Sequence, residues 1–483
     1  VQRHETLFVG GTWSAPSTTD TIEVISPHSE SPIAVVAAAG PADVDAAVTS
    51  ARKAFDEGPW PRLDPADRIE TVRRLAKLYG AQRSRMAELL TAEIGAPTTF
   101  AQRAQVGLPS MMMTAFCDLA DNFRWRETRS GFYGSDIDIR REPVGVVAAI
   151  VPWNMPQFLI VTKLIPALLA GCCVVVKPAP ESPLDALLLA TMLDETGLPP
   201  GVVSVLPGGA NVGEQLIGHP GVDKVSFTGS TAAGKAVAAA CAPGLKRVSL
   251  ELGGKSAAIV LDDADPASVA TAIRSASLSN CGQICNALTR ILLPANRNDE
   301  FVDALSTEMS SLRIGDPADP ETQLGPLVAQ RQQERVRNYI AGGQREGARL
   351  VIGGTDLPDG VERGWYVKPT LFADADNSMR IAREEIFGPV LTTIAYRTEE
   401  EAIAIANDSD YGLAGSVFTA DPDRGLGIAG RVRTGTFGVN QGYTMDPFAP
   451  FGGVKASGYG RELGAEGIEG YTVAKSISTA AAS

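Results

Sequence analysis

The chain has 483 residues, more than one hydrophobic core normally supports, so two or more domains are expected. Its 44% hydrophobic and 20% charged content is that of a globular protein, and a net charge of −13 excludes the basic face that nucleic acid requires. Six cysteines are too few for a disulfide scaffold, and His4, His28 and His219 are too scattered for a zinc site. No signal-peptide pattern opens the chain, so a cytoplasmic location is expected. The longest apolar stretch, Gln157 to Val176, contains Lys163, Pro166 and Gly171, and reads as helix, turn and buried strand, so no membrane partner is expected.

In chain order, Thr21 to Ile25 and Ile33 to Ala38 read as short strands between prolines. From Ala42 to Leu90 apolar residues recur at three- and four-residue spacing, which predicts helix, and a further helical stretch covers Thr98 to Asp121. Basic residues between Arg68 and Arg85 are a solvated helix face. Tyr133 to Arg141 alternates like an exposed hairpin. Val144 to Val151, Cys172 to Val176, Val202 to Leu206 and Val222 to Phe227 are apolar strands. The helices Pro156 to Leu169 and Ser182 to Thr196 lie between them. Such alternation predicts a parallel sheet with helices on both faces, binding ligands beyond the carboxyl ends of its strands. Asn154, Lys177 and Gly229 each sit just past such an end. A second α/β pattern follows, with strands at Ser256 to Leu261, Arg290 to Leu293 and Val390 to Tyr396. Thr472 to Ser478 reads as a terminal strand, and neither it nor the hairpin belongs to the two main sheets.

Three segments carry chemistry. Phe227-Thr228-Gly229-Ser230-Thr231 is a glycine turn between a strand and a helix, suited to phosphate oxygens. It misses the P-loop pattern because Ala236 follows Lys235, where a triphosphate site needs a hydroxyl for magnesium. Glu251-Leu252-Gly253-Gly254-Lys255-Ser256 offers a carboxylate, and Gly282-Gln283-Ile284-Cys285 a thiol. A thiolate nucleophile and a carboxylate able to activate water can form and then hydrolyse a thioester. Together with Pro152-Trp153-Asn154, Glu384-Glu385-Ile386-Phe387-Gly388-Pro389 and Pro450-Phe451-Gly452-Gly453, these segments follow the order seen in the aldehyde dehydrogenase superfamily, which the chain resembles over nearly its whole length.

The resemblance implies two open, mainly parallel doubly wound α/β domains and a small β oligomerisation arm. Residues 1–124 and 144–253 would bind the cofactor, 254–451 would form the catalytic domain, and 125–143 with 471–483 the arm. It implies NAD(P)-dependent oxidation of an aldehyde to a carboxylic acid. Cys285 is then the nucleophile, Glu251 the general base, and Asn154 with the Cys285 backbone N–H the oxyanion hole. Lys177 and Glu385 match residues binding the adenosine-side and nicotinamide-side riboses. Phe387 packs by the latter, Trp153 is a further cofactor residue, and Gly229 and Ser230 match the pyrophosphate turn. Relatives that prefer NAD often carry a glutamate three residues after the lysine. Here Pro180 stands there with Glu181 next, so Glu181 is the candidate substitute and NADP the alternative to NAD. The candidate pocket residues Met155, Phe158, Leu159, Ile284 and Phe451 favour an apolar aliphatic or aromatic aldehyde, and no arginine stands out for a second carboxylate. A CoA-acylating enzyme and a non-catalytic dinucleotide-binding protein are the alternative readings. Glu251 argues against the first, and the joint presence of Cys285, Glu251 and Asn154 against the second. The arm implies a homodimer or homotetramer.

Overall fold

Short apolar runs between helices build two large sheets in this protein, whose computed structural model describes residues 1–479. In the first sheet Arg247–Glu251, Lys224–Thr228, Val146–Ile150, Cys173–Lys177 and Val203–Val205 lie side by side and parallel, in that order. Every residue of Val146–Ile150 and Cys173–Lys177 is buried. Helices cover both faces, which is why these strands are continuously apolar rather than alternating. From Val146–Ile150 the chain builds outward one way through Cys173–Lys177, then returns and builds the other way through Lys224–Thr228. That reversal leaves a crevice beyond the carboxyl ends of Val146–Ile150 and Lys224–Thr228.

The second sheet orders Arg349–Ile352, Thr370–Ala373, Val390–Tyr396, Arg290–Pro294, Ala257–Val260, Gly415–Phe418 and Gly438–Val439, with only Arg349–Ile352 antiparallel. The fold is therefore two open, mainly parallel α/β sheets, as the sequence led us to expect. A third, antiparallel sheet of Arg126–Ser130, Asp136–Pro143 and Thr472–Ser478 stands apart from both. Its hairpin is wider than the alternation from Tyr133 to Arg141 suggested, with its turn at residues 131–135. Residues 480–483 of the expected arm lie outside the described residues.

Four features depart from the local pattern. Gly458–Tyr459 returns to pair antiparallel with Arg247–Glu251, so the end of the chain edges the first sheet. At its other edge, Leu7–Val9 pairs with Val203–Val205 and with Thr12–Ser14. The helix from Thr98 to Asp121 is interrupted by a π-helical turn at Ala101–Val106. The expected helix from Ala42 to Leu90 is three: Pro41–Asp56, Pro65–Ala81 and Arg83–Ile94, with Pro59, Pro61 and Pro65 clustered at the first break.

A buried carboxyl pair closes the amino end of Leu184–Glu195. The Glu93 side chain accepts the backbone N–H groups of Leu184 and Asp185 at 3.0 Å each, while Asp185 accepts the Gln157 amide at 2.6 Å. Burial raises Asp185 to about 7 and raises Glu93 too, and the Asp185 charge raises Glu93 further. Raised carboxyls bind protons in the fold that the unfolded chain has already released. Their stabilisation is thus present below the ordinary carboxyl range and lost as pH climbs towards 7. Asp185→Asn keeps an acceptor for Gln157 without the charge. Its unfolding midpoint is expected to gain on wild type between pH 5 and pH 8, at roughly 1.4 kcal/mol per unit of relieved shift. An equal offset at both pH values contradicts this.

Candidate active site

Beyond the carboxyl ends of the first sheet lies a cavity of about 200 Å³. Asn154, Met155, Phe158, Leu159, Gly229, Ser230, Glu251, Ile284, Cys285, Glu385, Phe387 and Phe451 all line it. Before Cys285 the chain turns sharply into this cavity, since Asn280, Cys281 and Gly282 are all left-handed, at φ 51°, 59° and 73°. A Cβ on Gly282 would collide with the Gly388 carbonyl, so glycine alone fits there.

Asn154 is buried, and its side-chain Nδ2 donates to the Gln283 carbonyl at 2.9 Å. One of its two amide hydrogens therefore remains for another acceptor. Cys285 is partly exposed to the cavity, yet desolvation first, then the Glu385 and Glu251 charges, push its thiol up to about 12. Glu251 is buried with neither carboxylate oxygen hydrogen-bonded. Burial, then the charge of Glu462, holds it well above the ordinary carboxyl range, while Lys163 and Arg461 pull it partly back. A carboxyl so placed keeps both oxygens open to water.

Lys163 and Glu462 form a buried pair at 2.5 Å, completed by Thr228 Oγ1 at 2.7 Å from Lys163 and Thr162 Oγ1 at 3.0 Å from Glu462. Glu462 also lines the cavity. Nothing near Glu462 in sequence marks it, because the pair spans almost 300 residues. Lys163 did carry a signal: a cation inside the wholly buried helix Pro156–Ala170 must find a partner. Gln332, Arg335 and Met445 complete the lining residues that motif reasoning missed. Arg335 is an arginine of the cavity lining, and it lies at the Glu385 end. It donates to the Glu385 carbonyl at 2.6 Å and to that of Ile386 at 3.4 Å.

The candidate cofactor residues divide into two groups. Ser230 caps the helix Thr231–Cys241 by accepting the Ala233 N–H at 3.2 Å, leaving first-turn amides of that helix for an anion. A Cβ on Gly229 would meet the Phe227 ring at 2.6 Å. Glu385 accepts the Gly254 N–H through Oε1 at 3.0 Å, and burial raises its carboxyl to about 7. Phe387, itself left-handed at φ 64°, meets Trp153 edge-on with ring centroids 5.5 Å apart. Lys177 and Glu181 stand outside the cavity lining. Lys177 donates to the Pro178 and Gly208 carbonyls at 2.7 Å each, and burial lowers it to about 8. Glu181 is paired with Arg331. Gly229, Ser230, Glu385 and the third Lys177 donor form a set that fits a dinucleotide: amides for phosphates, a carboxylate and an ammonium for ribose hydroxyls.

Comparison with known proteins gives one consistent result. The model of the aldehyde dehydrogenase family matches residues 13–477. Geranial dehydrogenase of Castellaniella defragrans is 46% identical over 98% of each chain. A Mycobacterium tuberculosis aldehyde dehydrogenase solved with NAD+ superposes with a TM-score of 0.97 at 49% identity, over 99% of this chain and 98% of that one. A cysteine-to-alanine mutant of aldehyde dehydrogenase C from Pseudomonas syringae, solved with NAD+ and octanal, gives 0.95 at 42% identity, over 98% and 96%.

Proposed function

The chain belongs to the aldehyde dehydrogenase family, and on that premise we propose that it oxidises an apolar aldehyde to its carboxylic acid with NAD, through a thioester on Cys285. The observation that carries this reading is one cavity holding the Cys285 thiol, the Asn154 amide and the unbonded Glu251 carboxyl. On this reading residues 1–124 and 144–253 bind the cofactor and 254–451 supply the nucleophile.

The Cys285 thiolate attacks the aldehyde carbon. The remaining Asn154 N–H and the Cys285 backbone N–H take the oxyanion that forms, an interaction typically worth about 3–4 kcal/mol in the barrier. Ser230 and the Thr231–Cys241 helix would hold the pyrophosphate of NAD, Lys177 and Glu385 its riboses, and Phe387 and Trp153 would pack against its nicotinamide end. When bound, NAD supplies a cationic ring that favours the thiolate and accepts the hydride leaving the adduct. Glu251 then takes a proton from the water that hydrolyses the thioester. Glu462, paired with Lys163, also lines the cavity, and its charge helps to keep the Glu251 carboxyl raised. No histidine takes part.

The apolar lining by Met155, Phe158, Leu159, Ile284, Met445 and Phe451 supports an apolar aldehyde, as do the names of relatives associated with geranial and octanal. Pro180 removes a carboxylate near the adenosine ribose, and Arg331 neutralises Glu181, so NADP is the alternative cofactor. The test is reduced-nicotinamide absorbance with a panel of aldehydes and either cofactor. The reading predicts the highest kcat/KM with uncharged aliphatic or aromatic aldehydes. Higher values for semialdehyde acids contradict the substrate assignment, and a requirement for CoA contradicts the hydrolytic one.

We also propose a homodimer or homotetramer in the cytoplasm. Among the described residues, no helix is long and apolar enough to cross a membrane. Both outer strands of the detached three-stranded sheet have unpaired edges, and Phe132 and Tyr133 at its hairpin are almost fully exposed. Light scattering at micromolar concentration is expected to give a dimer or larger, and a monomer there contradicts the assembly.

A further inference from the structure

We propose that Gln105 is a positioning residue for the oxyanion hole, acting through the backbone of Asn154. The inference rests on the role proposed above for Asn154. Gln105 is fully buried in the π-helical turn Ala101–Val106, and its Nε2 donates to the Asn154 carbonyl at 2.7 Å. A carbonyl can only accept, so the orientation of the Gln105 amide follows from its partner. Its own Oε1 is buried without a hydrogen-bond partner, a desolvation cost borne at a site where an apolar side chain would incur none. The π turn is the second departure from economy. It interrupts the Thr98 to Asp121 helix over Ala101–Val106, the stretch that carries this side chain, and such turns are frequent at functional sites.

The same carbonyl accepts a second donor, Asn280 Nδ2 at 2.9 Å, from the left-handed turn that precedes Cys285. Asn154 Nδ2 in turn donates to the Gln283 carbonyl two residues before the thiol. The Asn154 backbone is thus clamped between a helix of the first domain and the nucleophile loop of the second. Gln105 and Asn280 hold the Asn154 carbonyl from two different elements, and the Gln283 carbonyl holds its side chain. Releasing the Gln105 clamp lets the Asn154 amide drift from the oxyanion, which costs most in the transition states of acylation and hydrolysis and little in ground-state binding.

The test is a double-mutant cycle of Gln105→Met with Asn154→Ala, read by the acylation burst and by kcat and KM for aldehyde and NAD. Gln105→Met is expected to lower kcat and the burst rate together by roughly tenfold to a hundredfold, with KM for NAD unchanged. In the Asn154→Ala background the same substitution is expected to change either rate by less than about threefold. An equal loss in both backgrounds overturns the inference and leaves the Asn154 assignment standing. A normal rate for Asn154→Ala alone overturns that assignment instead. Should Gln105→Met not fold, Gln105→Glu serves. The introduced carboxyl donates through O–H only while protonated, so the variant should approach wild-type rate at low pH and lose it as pH rises. A pH profile parallel to that of wild type overturns the inference.

Discussion

Cys285→Ala is expected to reduce aldehyde oxidation by on the order of 10⁴-fold or more, together with any ester hydrolysis, because both reactions need the thiolate. The size of the effect follows from the site. Without Cys285, the cavity offers a substrate carbonyl only the amide of Asn154 and the carboxyl of Glu251, neither placed to make a covalent adduct from which hydride can leave. Cys281→Ala is the control. Its thiol is buried, lies outside the cavity lining and donates to the Gly325 carbonyl at 3.2 Å, so it cannot reach substrate. Most activity should survive its loss, apart from local loosening of the turn before Cys285. Near-normal oxidation by Cys285→Ala in a steady-state assay would remove the nucleophile from the account.

Glu251→Gln should separate the half-reactions. Reduced cofactor should appear in a burst of about one per active site and then stall, with steady turnover down by roughly 10²–10⁴-fold. The amide fills the same space but cannot take a proton from water. Wild type should approach this behaviour on acidification. Burial and the Glu462 charge raise the Glu251 carboxyl, so the competent base is the form that gains as pH rises above the ordinary carboxyl range. Turnover should therefore climb with pH while the burst amplitude stays. Steady turnover at the wild-type rate by Glu251→Gln would assign the base to another group.

The segments of the candidate site were legible because each is a short piece of chain at a fixed place in the fold. Asn154 and Gly229 lie past the ends of strands that apolar runs marked, which put those two on one rim, whereas the strand ending at Glu251 is too polar to be read that way. What stayed hidden depends on contacts between distant segments. Glu462 meets Lys163 only because the chain returns along Gly458–Tyr459, and no local pattern predicts a two-residue edge strand. Gln105 lies in a segment whose hydrophobic period fits a plain helix to within the one residue that the π turn absorbs, so period-counting passes over it. Arg335 and Gln332 sit on a strongly polar helix, Gln330–Arg345, where a binding face and a solvated face have the same composition. Glu181 has a partner that its sequence position did not reveal. Its place in the sequence suggested a cofactor ligand, and its carboxylate is spent on Arg331.

The thioester on Cys285 is the central claim, and mass spectrometry of the Glu251→Gln variant tests it most directly. Mixed with NAD and an apolar aldehyde, quenched in acid and digested, that variant should carry the acyl group on the peptide containing Cys285, in an amount matching the burst of reduced cofactor. A full burst with Cys285 unmodified, or the acyl group on any other residue, would contradict the account.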